Sequence, residues 1–205
     1  MWDVKKIVET YNKTAEHYAK SRQGKEPKEE LAKFIKLVKP HGKVLDVGCA
    51  AGRDSRILKD AGFDVTGMDL SEELLKIAKT QNPDVEFILT DMRILPFGKN
   101  FFDGIWACAV LHHLDKAEMA STVQEFKRVL KTNGILFIKT KMGKGVLKTQ
   151  EEMILNEERE FNLMEEEELD QMLTVDGFEK IELFSTKAKT REIFWINAFY
   201  RKQNP

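Results

Sequence analysis

The apolar positions follow two rhythms along the chain. From Val4 to Arg22 the spacing predicts a helix carrying Tyr11 and Tyr18. Gln23 to Pro27 breaks it. A second helix is predicted over Glu29–Val38, with Leu31, Phe34, Ile35 and Val38 on one face and Pro40-His41-Gly42 ending it. Short apolar runs then alternate with helical ones. Lys43–Val47 reads as a strand, Asp54–Ala61 as a helix closed by Gly62, and Asp64–Met68 as a strand. Ser71 caps a helix carrying Leu74, Leu75 and Ala78; Glu73 stands one position short of a capping box. Asn82-Pro83 turns into a strand over Val85–Leu89. Phe102–Cys108 is a strand, Lys116–Leu130 a long helix, Thr132-Asn133-Gly134 a turn, and Ile135–Thr140 a fifth strand.

Strands alternating with helices predict an α/β fold with a doubly wound parallel sheet, helices on both faces. The end of the chain breaks the pattern. An acidic run, Glu165 to Glu168, opens a helix ending near Leu173. Phe178–Phe184 and Ile193–Tyr200 are then joined by a polar link without a helix. They predict an antiparallel hairpin at the sheet edge, making a mostly parallel seven-stranded sheet. One domain over residues 1–205 is expected, with residues 1–27 as an N-terminal cover. The charged stretch 141–161 has no clear period and is read as an acceptor-binding insertion.

The 205 residues suffice to bury a core without disulfide or metal. The net charge of −1 sets up no global field toward nucleic acid or an anionic membrane. Cys49 and Cys108 do not stand at metal-ligand spacing, and no metal site is expected. No apolar run is long enough to span a bilayer, and the first residues lack the apolar core of a leader. A reducing cytoplasmic location with free thiols is the expectation.

The chemistry concentrates at the first strand end, Val44-Leu45-Asp46-Val47-Gly48-Cys49-Ala50-Ala51-Gly52-Arg53-Asp54-Ser55. A buried strand runs into a tight loop that opens a helix, where glycines admit a close ligand. A phosphate-binding loop needs Gly-Lys-Ser/Thr where Arg53-Asp54 stand, and a dinucleotide loop needs G-x-G-x-x-G. The spacing Gly48-x-x-x-Gly52, with Asp54 beside it, argues against pyrophosphate and so against a nicotinamide dehydrogenase. Asp69 follows the second strand, where a carboxylate can accept from both ribose hydroxyls. Asp91 follows the third, with the apolar and adaptable Met92 beside it.

The glycine loop resembles motif I of the class I S-adenosylmethionine-dependent methyltransferases, an acid followed by Gly-x-Gly-x-Gly with Ala50 at the middle glycine. Tyr11 to Tyr18, the segment Phe102-Asp103-Gly104-Ile105-Trp106 through Leu111-His112-His113-Leu114, and Phe126 to Gly134 are similar to the ubiquinone/menaquinone-biosynthesis group. Asn133 departs from the usual proline or glycine. The resemblance runs from about Tyr11 to Phe184 and implies the Rossmann-like methyltransferase fold. It implies that Asp46, Gly48, Cys49, Ala50, Gly52, Asp69, Leu70, Asp91, Met92 and Cys108 line the cofactor site, with Asp91 taking the adenine amino group. Arg22, Tyr11 and Tyr18 match positions that touch cofactor or acceptor in related enzymes.

S-adenosylmethionine is thus the expected cofactor, S-adenosylhomocysteine the product, and a small molecule the methyl acceptor. His112 and His113, after the fourth strand, are candidate bases, each weighed against simply holding the loop. Ala107 before Cys108 removes the pattern of cysteine-dependent pyrimidine methylation, and the Asn-Pro-Pro-Tyr motif of amino-group methylation is absent. The alternative acceptor is a wobble-uridine derivative in tRNA, reached through a basic rim of Lys139, Lys141, Lys144 and Lys148. Glu151 and Glu152 follow these lysines and favour a solvated charged face instead. A protein that binds the cofactor without catalysis would show the same binding residues.

Overall fold

A computed structural model describes residues 4–188 and 193–204. Its helices are α1 (Val4–Arg22), α2 (Lys28–Leu37), α3 (Arg53–Asp60), α4 (Glu72–Gln81), α5 (Lys116–Val129) and α6 (Glu166–Val175). Its strands are β1 (Lys43–Val47), β2 (Asp64–Asp69), β3 (Glu86–Leu89), β4 (Phe102–Cys108), β5 (Leu130–Lys141), β6 (Val146–Gln150), β7 (Glu158–Asn162), β8 (Phe178–Lys187) and β9 (Phe194–Lys202). Seven strands form one sheet in the order β3-β2-β1-β4-β5-β9-β8. The first five are mutually parallel, and β9 runs antiparallel to both β5 and β8. The expected doubly wound sheet with an edge hairpin is therefore the observed one. The polar link of that hairpin lies partly outside the described residues.

The winding puts apolar faces on both sides of the sheet. Met119, Val123 and Phe126 of α5 and Leu169 and Leu173 of α6 pack on one side. Leu31 and Phe34 of α2, Leu58 of α3 and Leu75 and Ala78 of α4 pack on the other. The inner parallel strands β1, β2 and β4 are buried on both faces, which is why they read as apolar runs rather than alternating ones. Ser71 caps α4 by accepting from the Leu74 amide at 3.3 Å. The capping box is found at α5 instead, between Asp115 and Glu118.

Most element ends shift by one to a few residues from the sequence reading, and two regions differ in kind. The helix α5 stops at Val129 and β5 begins at Leu130, so the Thr132-Asn133-Gly134 turn lies inside β5 as an irregularity, with Asn133 at φ 63°. The stretch 141–161 holds an antiparallel ribbon, β6 against β7, joined through a short 3-10 turn at Glu152–Ile154. This ribbon and α1 touch through that turn, and α1 also packs along α4. Among the described residues, no helix is long and apolar enough to cross a membrane, and no cluster of His, Cys, Asp or Glu is arranged to hold a metal ion.

Candidate functional site

A cavity of about 530 Å³ lies at the carboxyl ends of β1, β2, β3 and β4, walled on one side by α1. Asp46, Gly48, Cys49, Ala50, Gly52, Asp69, Leu70, Asp91, Met92, Cys108 and Arg22 all line it, as do Tyr11, Tyr18 and His113. Open α/β sheets bind ligands at this edge, where neighbouring crossovers part in opposite directions.

The loop after β1 is bent by backbone conformations that side chains disfavour. Gly48 has φ 68° and Gly52 φ 78°. A Cβ at Gly48 would stand 2.5 Å from Val110, and one at Gly52 2.8 Å from the Phe87 ring. Ala50 also takes a left-handed conformation, φ 49°, which costs an alanine roughly 1–2 kcal/mol. That explains why glycine is usual there. The strain is offset by a specific bond, because the Ala50 amide donates to Asp69 Oδ2 at 2.9 Å. The other oxygen, Oδ1, accepts from the Ser71 amide at 2.8 Å. Asp69 therefore joins the glycine loop to the start of α4 and keeps lone pairs for a ligand. Burial pushes its carboxyl above the ordinary carboxylate value.

Asp46 is buried beneath the loop and accepts from Ser55 Oγ at 2.5 Å. Burial, and then the neighbouring Asp54, push its carboxyl up to about 8. Asp54 is engaged by Trp106 Nε1 at 3.1 Å and by Arg53 Nε at 2.7 Å. Arg53 also donates to the carbonyls of Arg22 and Lys25, tying the end of α1 to the loop.

Asp91 is clamped. Arg93 donates to both of its oxygens through Nε and Nη2, and through its own amide. Arg93 Nη1 reaches Glu118 at 2.5 Å. Burial raises the Asp91 carboxyl, but the hydrogen bonds from Arg93 outweigh it and hold the group below its ordinary value.

The two histidines separate. His113 faces the cavity, with Nε2 3.2 Å from the Tyr11 hydroxyl. His112 does not line it. Its ring packs beside Phe161 and Trp195, 4.9 and 5.7 Å between centroids. Burial pushes the His112 pKa well below the ordinary histidine value. Burial, then Arg159 and Lys141, push His113 down to about 3. Of the two candidate bases, His113 is the one that lines the cavity. At that pKa it is a weak base. Burial also pushes both thiols up, so Cys49 and Cys108 stay protonated walls of the cavity.

The lysines give no basic rim. Lys139 pairs with Glu30 at 2.5 Å, Lys144 with Glu165 at 3.3 Å and Lys148 with Glu160 at 2.5 Å. Lys141 is buried, with Nζ 4.4 Å from the Phe161 ring and 4.6 Å from the Trp195 ring. The sequence reading did not single out Arg159, whose side chain is 5% exposed and pairs with Glu151 while donating to the Tyr11 hydroxyl. The available signal was alternation, since Arg159 and Phe161 share the inward face of β7. Lys-Glu-rich surroundings masked it.

A family model for a methyltransferase domain matches residues 45–138, from β1 into β5. The demethylmenaquinone methyltransferase of Renibacterium salmoninarum is 36% identical over 99 residues, 48% of this chain and 41% of that protein. The tRNA (carboxymethyluridine(34)-5-O)-methyltransferase of Arabidopsis thaliana is 30% identical over 135 residues, 65% of this chain and 32% of that protein. The chain thus spans less than half the length of these two curated relatives. Among solved structures, the 1,6-didemethyltoxoflavin-N1-methyltransferase of Burkholderia thailandensis, determined with S-adenosylhomocysteine bound, superposes with a TM-score of 0.73. It covers 100% of this chain and 92% of that one at 18% identity, a likeness of fold.

Proposed function

We propose that the chain carries a class I S-adenosylmethionine-dependent methyltransferase domain of the ubiquinone/menaquinone-like group and transfers the methyl of S-adenosylmethionine to a small-molecule acceptor. The observation carrying the proposal is the convergence of Asp46, Asp69 and Asp91, at or just beyond the ends of three adjacent strands, on one cavity with the glycine loop. This set suits a ligand rich in hydroxyl and amino donors and bearing positive charge. It does not suit a pyrophosphate: Arg53, the cation of the loop, is committed to Asp54 and to two carbonyls. The volume is in the range of about 300–1,000 Å³ usual for small-ligand pockets.

In this reading Asp69 holds the ribose hydroxyls, Asp91 and Met92 hold the adenine, and Gly48 and Gly52 let the backbone come close. Asp46 meets the cationic end. The cofactor supplies an electrophilic methyl group on a sulfonium. The chain contributes orientation and a dry site closed by α1. A small acceptor is favoured over RNA, because the lysines that would have tracked a phosphate backbone are neutralised by Glu30, Glu160 and Glu165 or buried.

Calorimetry with S-adenosylhomocysteine tests the binding half. Losing the two ribose bonds should cost Asp69→Ala about 2–4 kcal/mol of affinity, and an unchanged affinity removes Asp69 from the site. A metabolite extract incubated with a labelled methyl donor tests the catalytic half. A labelled product dependent on the protein is expected; its absence with binding intact would leave a cofactor-binding protein without catalysis.

A further inference from the structure

One side of α1 faces the cavity at helical spacing, through Val4, Ile7, Val8 and Tyr11. The first three are aliphatic, so the Tyr11 hydroxyl is the polar group presented by the first half of α1; Tyr18 and Arg22 line the cavity farther along the helix. Arg159 of β7 lies behind the Tyr11 hydroxyl. Its Nη1 donates to the Tyr11 oxygen at 2.5 Å and Nη2 pairs with Glu151. Its Nε is buried with no hydrogen-bond partner among the described residues. A guanidinium can only donate, so the Tyr11 oxygen is the acceptor in this bond. The phenolic proton is therefore directed away from Arg159, toward His113 Nε2 or a ligand in the cavity. A buried arginine that polarises a phenol at a cavity wall makes a donor aimed at negative charge.

Resting on the reading that the cavity holds a methyl donor, we propose that Tyr11 backed by Arg159 binds the acceptor. We propose further that the acceptor presents to it an oxygen already ionised at neutral pH, a carboxylate or an acidic enol on an apolar body. The aliphatic face of α1 receives that body. A lone pair of this oxygen forms the new bond to the methyl carbon as the carbon–sulfur bond breaks and its electron pair stays with sulfur. The negative charge of the acceptor and the positive charge of the donor cancel, and no proton has to leave. This accords with a site whose cavity-facing histidine, pushed down to about 3 by burial and by Arg159 and Lys141, accepts protons poorly. Arg159 acts through Tyr11 and is a positioning residue; Tyr11 touches the acceptor.

The test uses protein saturated with S-adenosylhomocysteine and titrated by calorimetry with benzoate and with benzamide, which share a shape and differ in charge. Benzoate should bind about tenfold or more tightly than benzamide, the increment of a charge-assisted hydrogen bond. Tyr11→Phe keeps the ring, which packs edge-on against Tyr18 at 5.1 Å, and should bring the two ligands to within about twofold. Arg159→Gln should also narrow the ratio, but it strands Glu151, so Tyr11→Phe is the deciding variant. Equal affinity of the two ligands for the unmodified protein, binding of neither, or a benzoate preference that survives in Tyr11→Phe overturns the proposal. Failure of S-adenosylhomocysteine itself to bind is a separate outcome, and it overturns the methyltransferase reading on which the proposal rests.

Discussion

Asp46 is the residue whose ionisation the fold controls most directly. Its folded value, about 8, stands above the ordinary 3.8 because burial and Asp54 disfavour its charge. The sign follows from proton uptake. Between about pH 4 and 8 the folded protein holds a proton that the unfolded chain has lost. The stability this lends is complete below the unfolded value and is lost as pH rises through the folded one. The ligand-free protein should therefore melt at progressively lower temperature from about pH 4 to 8, and Asp46→Asn should flatten that slope. Asparagine keeps an oxygen to accept from Ser55, so packing is conserved. A cationic ligand acts oppositely: it favours the carboxylate, so its binding should release a proton and tighten toward about pH 8. An identical slope in Asp46→Asn would move the effect to another group. The three strand-end acids were legible in the sequence because an acid closing an apolar run has a fixed place in this fold. Arg159 was not, because an arginine among glutamates reads as solvated until β7 pairs with β6 and turns it inward.

The helix α1 is fastened at three places, and they set how it can move. Midway, Tyr11 meets Arg159, Lys13 pairs with Glu157, and His17 bonds the Glu152 carbonyl at 2.8 Å. Asn12 Oδ1 accepts from Ser71 Oγ at 2.7 Å, which fixes α1 to the start of α4. At its end, Arg53 holds the Arg22 carbonyl. A helix so tied to the ribbon cannot open alone. Adding S-adenosylhomocysteine should slow amide exchange in α1 and in the β6–β7 ribbon together, while β1 stays protected throughout. Slowing confined to α1 would show that the ribbon is a bystander; no change in either would show a permanently docked cover. The helix could be read from the sequence, since its apolar and aromatic positions keep a helical period. The ribbon could not, because its strands are five residues long and mix charged, polar and apolar positions, and pairing rather than propensity creates them.

At the scale of the whole molecule, the alternation of strands and helices places Asp46, Asp69 and Asp91 on one edge of one sheet. The winding was legible because the inner parallel strands β1, β2 and β4 are buried on both faces and read as apolar runs. The interior of β5 was less so, since its Asn133 irregularity looks like an inter-element turn until β4 and β9 flank it. The same architecture serves many chemistries, so ligand choice must come from the cavity. Its loop offers Asp46, Asp69 and backbone amides, and its arginine is already paired with Asp54. That charge pattern repels a diphosphate and attracts a sulfonium-bearing nucleoside. At ligand about a hundredfold above Kd, native-state binding adds about 2.7 kcal/mol. For a chain of this size that raises Tm by roughly 5–10 °C. S-adenosylmethionine and S-adenosylhomocysteine should each give such a shift, whereas NAD and ATP at equal concentration should shift Tm by about 1 °C or less. A larger shift with NAD would mean that the amides of the loop outweigh its carboxylates, and the assignment of Asp69 to a ribose beside a sulfonium would have to be abandoned for a dinucleotide.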